Sequence, residues 1–170
     1  MRKIVIGVMG PGNASPTEAQ NAYYLGKLIA QNHWVLLTGG RNMGVMQAAS
    51  RGAKAGNGLT VGILPTADAH GLADTVDLAI FTDMGSARNN INVLSCHVVI
   101  ACGMGAGTAS EVALAIKANK PVILLNDNQE SQQFFRSLSP CVFIAQTPVE
   151  AIAIVQDLLA QIPDFSIKFS

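Results

Sequence analysis

Charge is scarce in this chain of 170 residues: 13% are Asp, Glu, Lys or Arg, about half the usual share of roughly 25%. The eleven bases balance the eleven acids. No block of like charge is long enough to track a phosphate backbone, so nucleic acid is not an expected partner. Histidine is scarcer still. His33, His70 and His97 stand far apart, without an H-x-x-x-H or a His/Cys cluster, which argues against a metal held by protein ligands. Cys96, Cys102 and Cys141 are odd in number and form no C-x-x-C pair, so no disulfide framework is expected and a reducing cytosol fits. Long apolar runs are missing too. Arg2 and Lys3 precede an apolar Ile4 to Met9, but Gly10-Pro11-Gly12 ends that run too early for a signal peptide. Every other apolar stretch falls short of the roughly 18 residues of a membrane span. The expectation is a soluble cytoplasmic protein with no membrane partner.

What the sequence has in quantity is apolar surface and glycine. Hydrophobic residues make up 49%, with 16 glycines besides, which excludes a disordered or fibrous chain. At roughly 150 residues per domain the length suggests a single domain over 1–170. A domain of that size buries about 70% of its unfolded surface and needs no staple.

Short β-branched runs alternate with helical patterns. Lys3 to Val8, Trp34 to Thr38, Leu59 to Leu64, Leu78 to Phe81, Val98 to Ala101, Pro121 to Leu125 and Val142 to Ile144 read as strands. Most are apolar at successive positions, the mark of strands covered on both faces, hence of a parallel sheet. Ser15-Pro16-Thr17-Glu18 is a capping box with proline at the first helical position, and Ala22, Leu25 and Ile29 follow on one face. Helices are expected near Val45 to Ala55, Arg88 to Ser95 and Thr108 to Ala118. A closing helix after Pro148 is marked by Ile152, Val155, Leu159 and Ile162. The fold class is α/β, three layers, doubly wound around a mainly parallel sheet of about seven strands with helices on both faces. The nearly uncharged stretch Val112 to Ala118 suits either a core or a subunit interface.

In such a sheet ligands bind beyond the carboxyl ends of the strands. Three of those loops are rich in glycine: Gly10-Pro11-Gly12-Asn13-Ala14-Ser15, Thr38-Gly39-Gly40-Arg41-Asn42-Met43-Gly44 and Gly103-Met104-Gly105-Ala106-Gly107-Thr108. Each leads into a helix. Glycine admits close backbone approach, and the free N–H groups at a helix start favour an anion. One such loop is merely a tight turn; three together point to an anionic, phosphate-bearing small molecule. A dinucleotide site does not fit, because Ser15 stands where a third glycine or alanine belongs and Thr38-Gly39-Gly40 replaces the acidic residue that holds a ribose. NAD is therefore not expected. No G-x-x-x-x-G-K-[ST] is present, which excludes a P-loop NTPase.

Arg41, Arg88 and Glu111 are the polar residues placed near these loops. An arginine fork matches a phosphate, and a glutamate in a dry pocket is suited to general-base work or to binding an amide edge. Two plain alternatives stay open: Arg88 in a surface ion pair, and Glu111 as the last member of a capping box, Thr108-Ala109-Ser110-Glu111. Cys102 reads as a small hydrophobe at a strand end, and Met43 with Met46 as core packing.

Gly39-Gly40-Arg41-x-x-Gly44-Val45-Met46, Arg88-Asn89 and Gly105-Ala106-Gly107-Thr108-Ala109-Ser110-Glu111 resemble the lonely-guy superfamily, often mislabelled lysine decarboxylases, over nearly the whole chain. Hydrolases of that superfamily cleave the N-glycosidic bond of nucleoside 5'-monophosphates through motifs of the forms P-G-G-x-G-T-x-x-E and M-H-x-R-K. Here Gly103 and Met104 replace the proline and first glycine, and of the second motif only the arginine survives. The pattern G-x-G-x-G-T-x-x-E with Arg-Asn is similar to the molybdenum-cofactor carrier branch.

That resemblance implies a Rossmann-like scaffold holding an oxidation-sensitive molybdopterin without turnover, as homodimers or homotetramers, with molybdenum enzymes as recipients. Gly10, Gly12, Asn13, Gly39, Gly40, Gly105, Ala106, Gly107, Thr108 and Glu111 would line the site, and Arg41 or Arg88 would add charge. The hydrolase branch instead implies Arg88 positioning the phosphate or ribosyl group and Glu111 activating water. No lysine is placed to form a pyridoxal Schiff base, so decarboxylation through that cofactor is not expected.

Overall fold

The computed structural model describes residues 3–125 and 127–161. Seven strands form one sheet: β1 (Val5–Met9), β2 (Val35–Thr38), β3 (Thr60–Leu64), β4 (Leu78–Phe81), β5 (Val98–Cys102), β6 (Val122–Leu125) and β7 (Val142–Ala145). All pairings are parallel, in the order β4-β3-β2-β1-β5-β6-β7. Six helices connect them: α1 (Pro16–Gln31), α2 (Gly44–Ala55), α3 (Asn89–Leu94), α4 (Ala106–Lys117), α5 (Gln129–Leu138) and α6 (Pro148–Ala160). Ile162, read into the closing helix, lies outside the described residues. Among the described residues no helix is long and apolar enough to cross a membrane.

Side chains alternate across the sheet, and two cores result. Ile6, Val8, Leu36 and Ile100 pack under α1, α2 and α6 through Leu25, Ala49 and Val155. Met9, Leu37, Val99 and Leu124 pack under α3, α4 and α5 through Val93, Val112 and Phe135. The expected doubly wound, three-layer α/β fold is therefore present, with strand ends shifted by a residue or two. Edge strand β4 departs from the expected two-sided cover: Leu78 is 53% exposed and Ile80 48%. Helix α5 was not expected at all.

The capping box that opens α1 is complete, since the Ser15 hydroxyl accepts from the Glu18 N–H at 3.2 Å and the Glu18 carboxylate accepts from the Ser15 N–H at 2.7 Å. Helices α1 and α2 approach so closely that a Cβ on Gly26 would run into the Ala49 carbonyl, and one on Gly52 into the Tyr23 carbonyl. Neither obstacle is a flexible side chain, so only backbone shifts relieve it. Gly26→Ala is expected to lower unfolding stability by about 1 to 3 kcal/mol, the usual cost of overpacking, read as a lower urea midpoint at unchanged slope.

Candidate functional site

From β1 the strand order runs outward one way through β2, β3 and β4, and the other way through β5, β6 and β7. The loops that follow β1 and β5 diverge at this switch point, where doubly wound sheets open a crevice. A cleft of about 390 Å³ lies there. Gly10, Pro11 and Gly12 form one wall, and Gly105, Ala106, Gly107 and Thr108 at the start of α4 form the facing one. Arg88 and Glu111 also line the cleft, with Arg41 and Met46 from the β2–α2 connection. Pro65, Gly85, Ser86 and Asn89 complete it, residues that sequence reasoning had not assigned to a site.

Three residues expected at the site do not line it. Asn13 is exposed one position past the cleft wall. Gly40, at φ 76°, is packed against Leu64 and Gly62 of β3. Gly39 lies beneath Arg88 instead: a Cβ there would sit 2.8 Å from Nη2 of the guanidinium. Its glycine gives the arginine its seat.

Arg88 ends a 3-10 turn, Gly85–Arg88, that leads directly into α3. Only 8% of it is exposed, which excludes the surface ion pair considered above; its pairing is buried. Nη1 donates to Asn89 Oδ1 at 2.8 Å and lies 3.7 Å from Glu111 Oε1. Asn92 Nδ2 donates to the same carboxylate oxygen at 3.0 Å. Asn89 Nδ2 in turn donates to Ser110 Oγ at 2.9 Å, and that hydroxyl donates to the Gly107 carbonyl at 2.7 Å. Two asparagines one turn apart on α3 thus tie it to consecutive residues of α4, with Arg88 between them. The capping-box reading of Glu111 is corrected by this geometry. The N-cap of α4 is Gly105, which has no side chain to cap with, so the helix starts earlier and Glu111 falls in its second turn, turned toward α3.

The electrostatics follow from burial. Desolvation pushes the Glu111 carboxyl above its ordinary range, against the opposing pull of Asn92 and Arg88. Burial lowers the Arg88 guanidinium, Glu111 opposes that, and nearby Arg41 adds to it. A guanidinium still keeps its charge. Arg88 Nε and Thr108 Oγ1 are buried without a hydrogen-bond partner among the described residues. An unmet buried polar group costs about 1 to 3 kcal/mol. Placed on the same cleft as an uncapped helix start, whose first N–H groups have no partner within the helix, they suit an anionic group with several acceptor oxygens.

Other candidates fall away from the cleft. Cys102 is buried, its thiol pushed up to about 12 by burial, and its Sγ donates to the Glu18 carbonyl at 3.4 Å, so it is the strand-end hydrophobe expected. Met43 is 37% exposed, and Met46 faces the cleft, which corrects their reading as core. Among the described residues no cluster of His, Cys, Asp or Glu is arranged to hold a metal ion.

Residues 3–152 match the model of the SLOG cluster4 family. The chain belongs to that family. Its fold superposes on the molybdenum cofactor binding protein of the phototrophic bacterium Rippkaea orientalis with a TM-score of 0.92 at 60% identity, covering 94% of this chain and 99% of that one. The Moco carrier protein of Chlamydomonas reinhardtii gives a TM-score of 0.90 at 51% identity, over 95% and 100% of the two chains. An uncharacterized protein of Archaeoglobus fulgidus is 44% identical over 125 residues, 74% of this SLOG cluster4 chain and 82% of its own length.

Proposed function

We propose that this SLOG cluster4 chain binds the molybdenum cofactor in the cleft between the β1 and β5 loops and holds it as a carrier, for delivery to molybdenum enzymes. One observation carries the reading: two buried polar groups, Arg88 Nε and Thr108 Oγ1, lack partners on a cleft whose wall is an uncapped helix start. The cargo carries a phosphate and an oxo-molybdenum group, so it brings the acceptor oxygens these donors lack. Likeness to the Rippkaea and Chlamydomonas proteins over nearly the whole chain supports the same ligand.

In this reading Gly10, Gly12, Gly105, Ala106, Gly107 and Thr108 present backbone and hydroxyl groups, while Arg88 and Arg41 supply charge. Glu111 balances Arg88. Gly39 and Gly40 act from beneath by shaping the loop, and Asn13 has no direct part. Turnover of a nucleotide is the weaker reading. The likeness over nearly the whole chain is to molybdenum cofactor binding and carrier proteins, and Glu111 Oε1 is engaged by Asn92 and faces Arg88.

The test is cofactor retained per chain after anaerobic mixing and desalting, for the native protein and for Gly107→Val. No atom lies within 4 Å of a Cβ built on Gly107, so the valine leaves the fold intact and fills ligand space. Near-stoichiometric retention, lost in the variant, is expected. Retention equal in both proteins sinks the site, and adenine released from AMP in a Glu111-dependent way would establish the hydrolase instead.

A further inference from the structure

Asn92 has no place on the cleft, is fully buried, and leaves its Oδ1 unpaired. An aliphatic side chain of similar size would avoid that cost. What the amide does in return is donate from Nδ2 to Glu111 Oε1 at 3.0 Å, on the oxygen that also faces Arg88 Nη1 at 3.7 Å. We propose that Asn92 is a positioning residue: it holds Glu111 as the counter-charge of Arg88 and thereby sets how strongly, and over what pH range, the cleft takes an anion. This rests on the anion-binding reading of the cleft but not on the identity of its cargo.

An ionised Glu111 neutralises part of the Arg88 field and repels an incoming anion; a protonated one does neither. Anion affinity should therefore be highest at low pH and fall as pH rises through the Glu111 titration. Burial raises that titration above the ordinary carboxylate range, while the Asn92 hydrogen bond and Arg88 pull it back down. The charged or titratable groups around Glu111 are Arg88 from the 3-10 turn, Arg41 on the same cleft, Cys96 two residues past the end of α3, and Lys120, which donates to the Cys96 carbonyl at 2.7 Å. Both arginines stay charged, and the Cys96 thiol is pushed up to about 12. Across a test span of about pH 5 to pH 9 the arginines and the Cys96 thiol keep their charge state, so a change of charge among these three groups and Glu111 comes from Glu111.

Sulfate is the probe, because its own charge is constant across that span. Isothermal titration of the native protein should show affinity falling toward high pH, by at most about tenfold per pH unit, the bound that linkage to one titrating group sets. In Asn92→Leu the same fall should move to higher pH, because a hydrogen bond favouring the carboxylate is gone. Asn92→Ala, which removes the amide without adding bulk or charge, should move it the same way, and serves if the leucine variant does not fold. Glu111→Gln should bind with no pH dependence, at the native protein's low-pH level. A structural role alone would change melting temperature without moving the pH profile. A flat native profile, no measurable sulfate binding, or folded Asn92 variants that retrace the native curve would overturn the proposal. If the native protein retains molybdenum cofactor while its sulfate profile is flat, only the role of Asn92 falls. If the sulfate profiles behave as expected and no cofactor is retained, only the assigned cargo falls.

Discussion

Arg88→Met lowers affinity for the molybdenum cofactor by roughly 30-fold to several thousand-fold, the equivalent of about 2 to 5 kcal/mol for truncating one member of a buried, hydrogen-bonded charge pair. Methionine fills the space of the arginine stem, so the packing against the 3-10 turn survives and the loss is electrostatic. Three consequences separate this from general damage. Arg88→Lys keeps the charge but loses the planar fork, and should fall between the native protein and the methionine variant. Glu111 loses its counter-ion and stays 7% exposed, so its titration, already raised by burial, rises further. A group with a raised folded value contributes stability below its unfolded value, near 4.5, and that contribution is lost as pH rises through the folded one. Arg88→Met should therefore melt close to the native protein in acid and progressively below it toward neutral pH. Adding Glu111→Gln should restore melting but not binding. Thermal melts at several pH values and cofactor retention at one check all of this, and an Arg88→Met protein that keeps its cofactor would remove the arginine from the site.

The sheet was legible because its strands are short rows of consecutive apolar residues, a pattern that both covering layers impose. The start of helix α1 was legible to the residue, since Ser15 and Glu18 make the box that the spacing predicts. Helix α5 was not, because Gln129 to Gln133 gives no apolar stripe, and only Phe135 among its residues is buried. Its sole local signal was Asn128, whose side chain accepts from the Ser131 N–H. At the cleft, glycine-rich loops were visible as loops, yet a helix starting at Ala106 inside one of them was not. Glu111 therefore stood open between a first-turn cap and a residue of the site. The Arg88–Glu111 pair joins residues far apart in sequence, and the two asparagine bridges beside it depend on how α3 lies against α4. Gly39 shows the same limit: it looks like a ligand contact in sequence and is a seat for Arg88 in space.

Gly44→Ala should damage folding and binding together, by about 2 to 5 kcal/mol in stability. Gly44 opens α2 at φ 52°, a region that costs an L side chain about 1 to 2 kcal/mol. It also faces backbone: a Cβ there would meet the carbonyl oxygens of both Pro11 and Gly12, adding an overpacking cost of about 1 to 3 kcal/mol. Those carbonyls belong to the cleft wall, and Val45 N–H donates to the Pro11 oxygen at 3.1 Å. Relieving the clash must push the β1 loop off the start of α2, which breaks that hydrogen bond and displaces Gly10 to Gly12 from the ligand. Gly85→Ala separates the two costs, because Gly85 shares the φ of 52° and the cleft but has no atom within 4 Å of a built Cβ. Urea unfolding should place Gly85→Ala about 1 to 2 kcal/mol below the native protein and Gly44→Ala further down by the steric part. Equal losses in the two variants would mean that the contact between the β1 loop and α2 yields freely, and that the wall of the cleft is not fixed by Gly44.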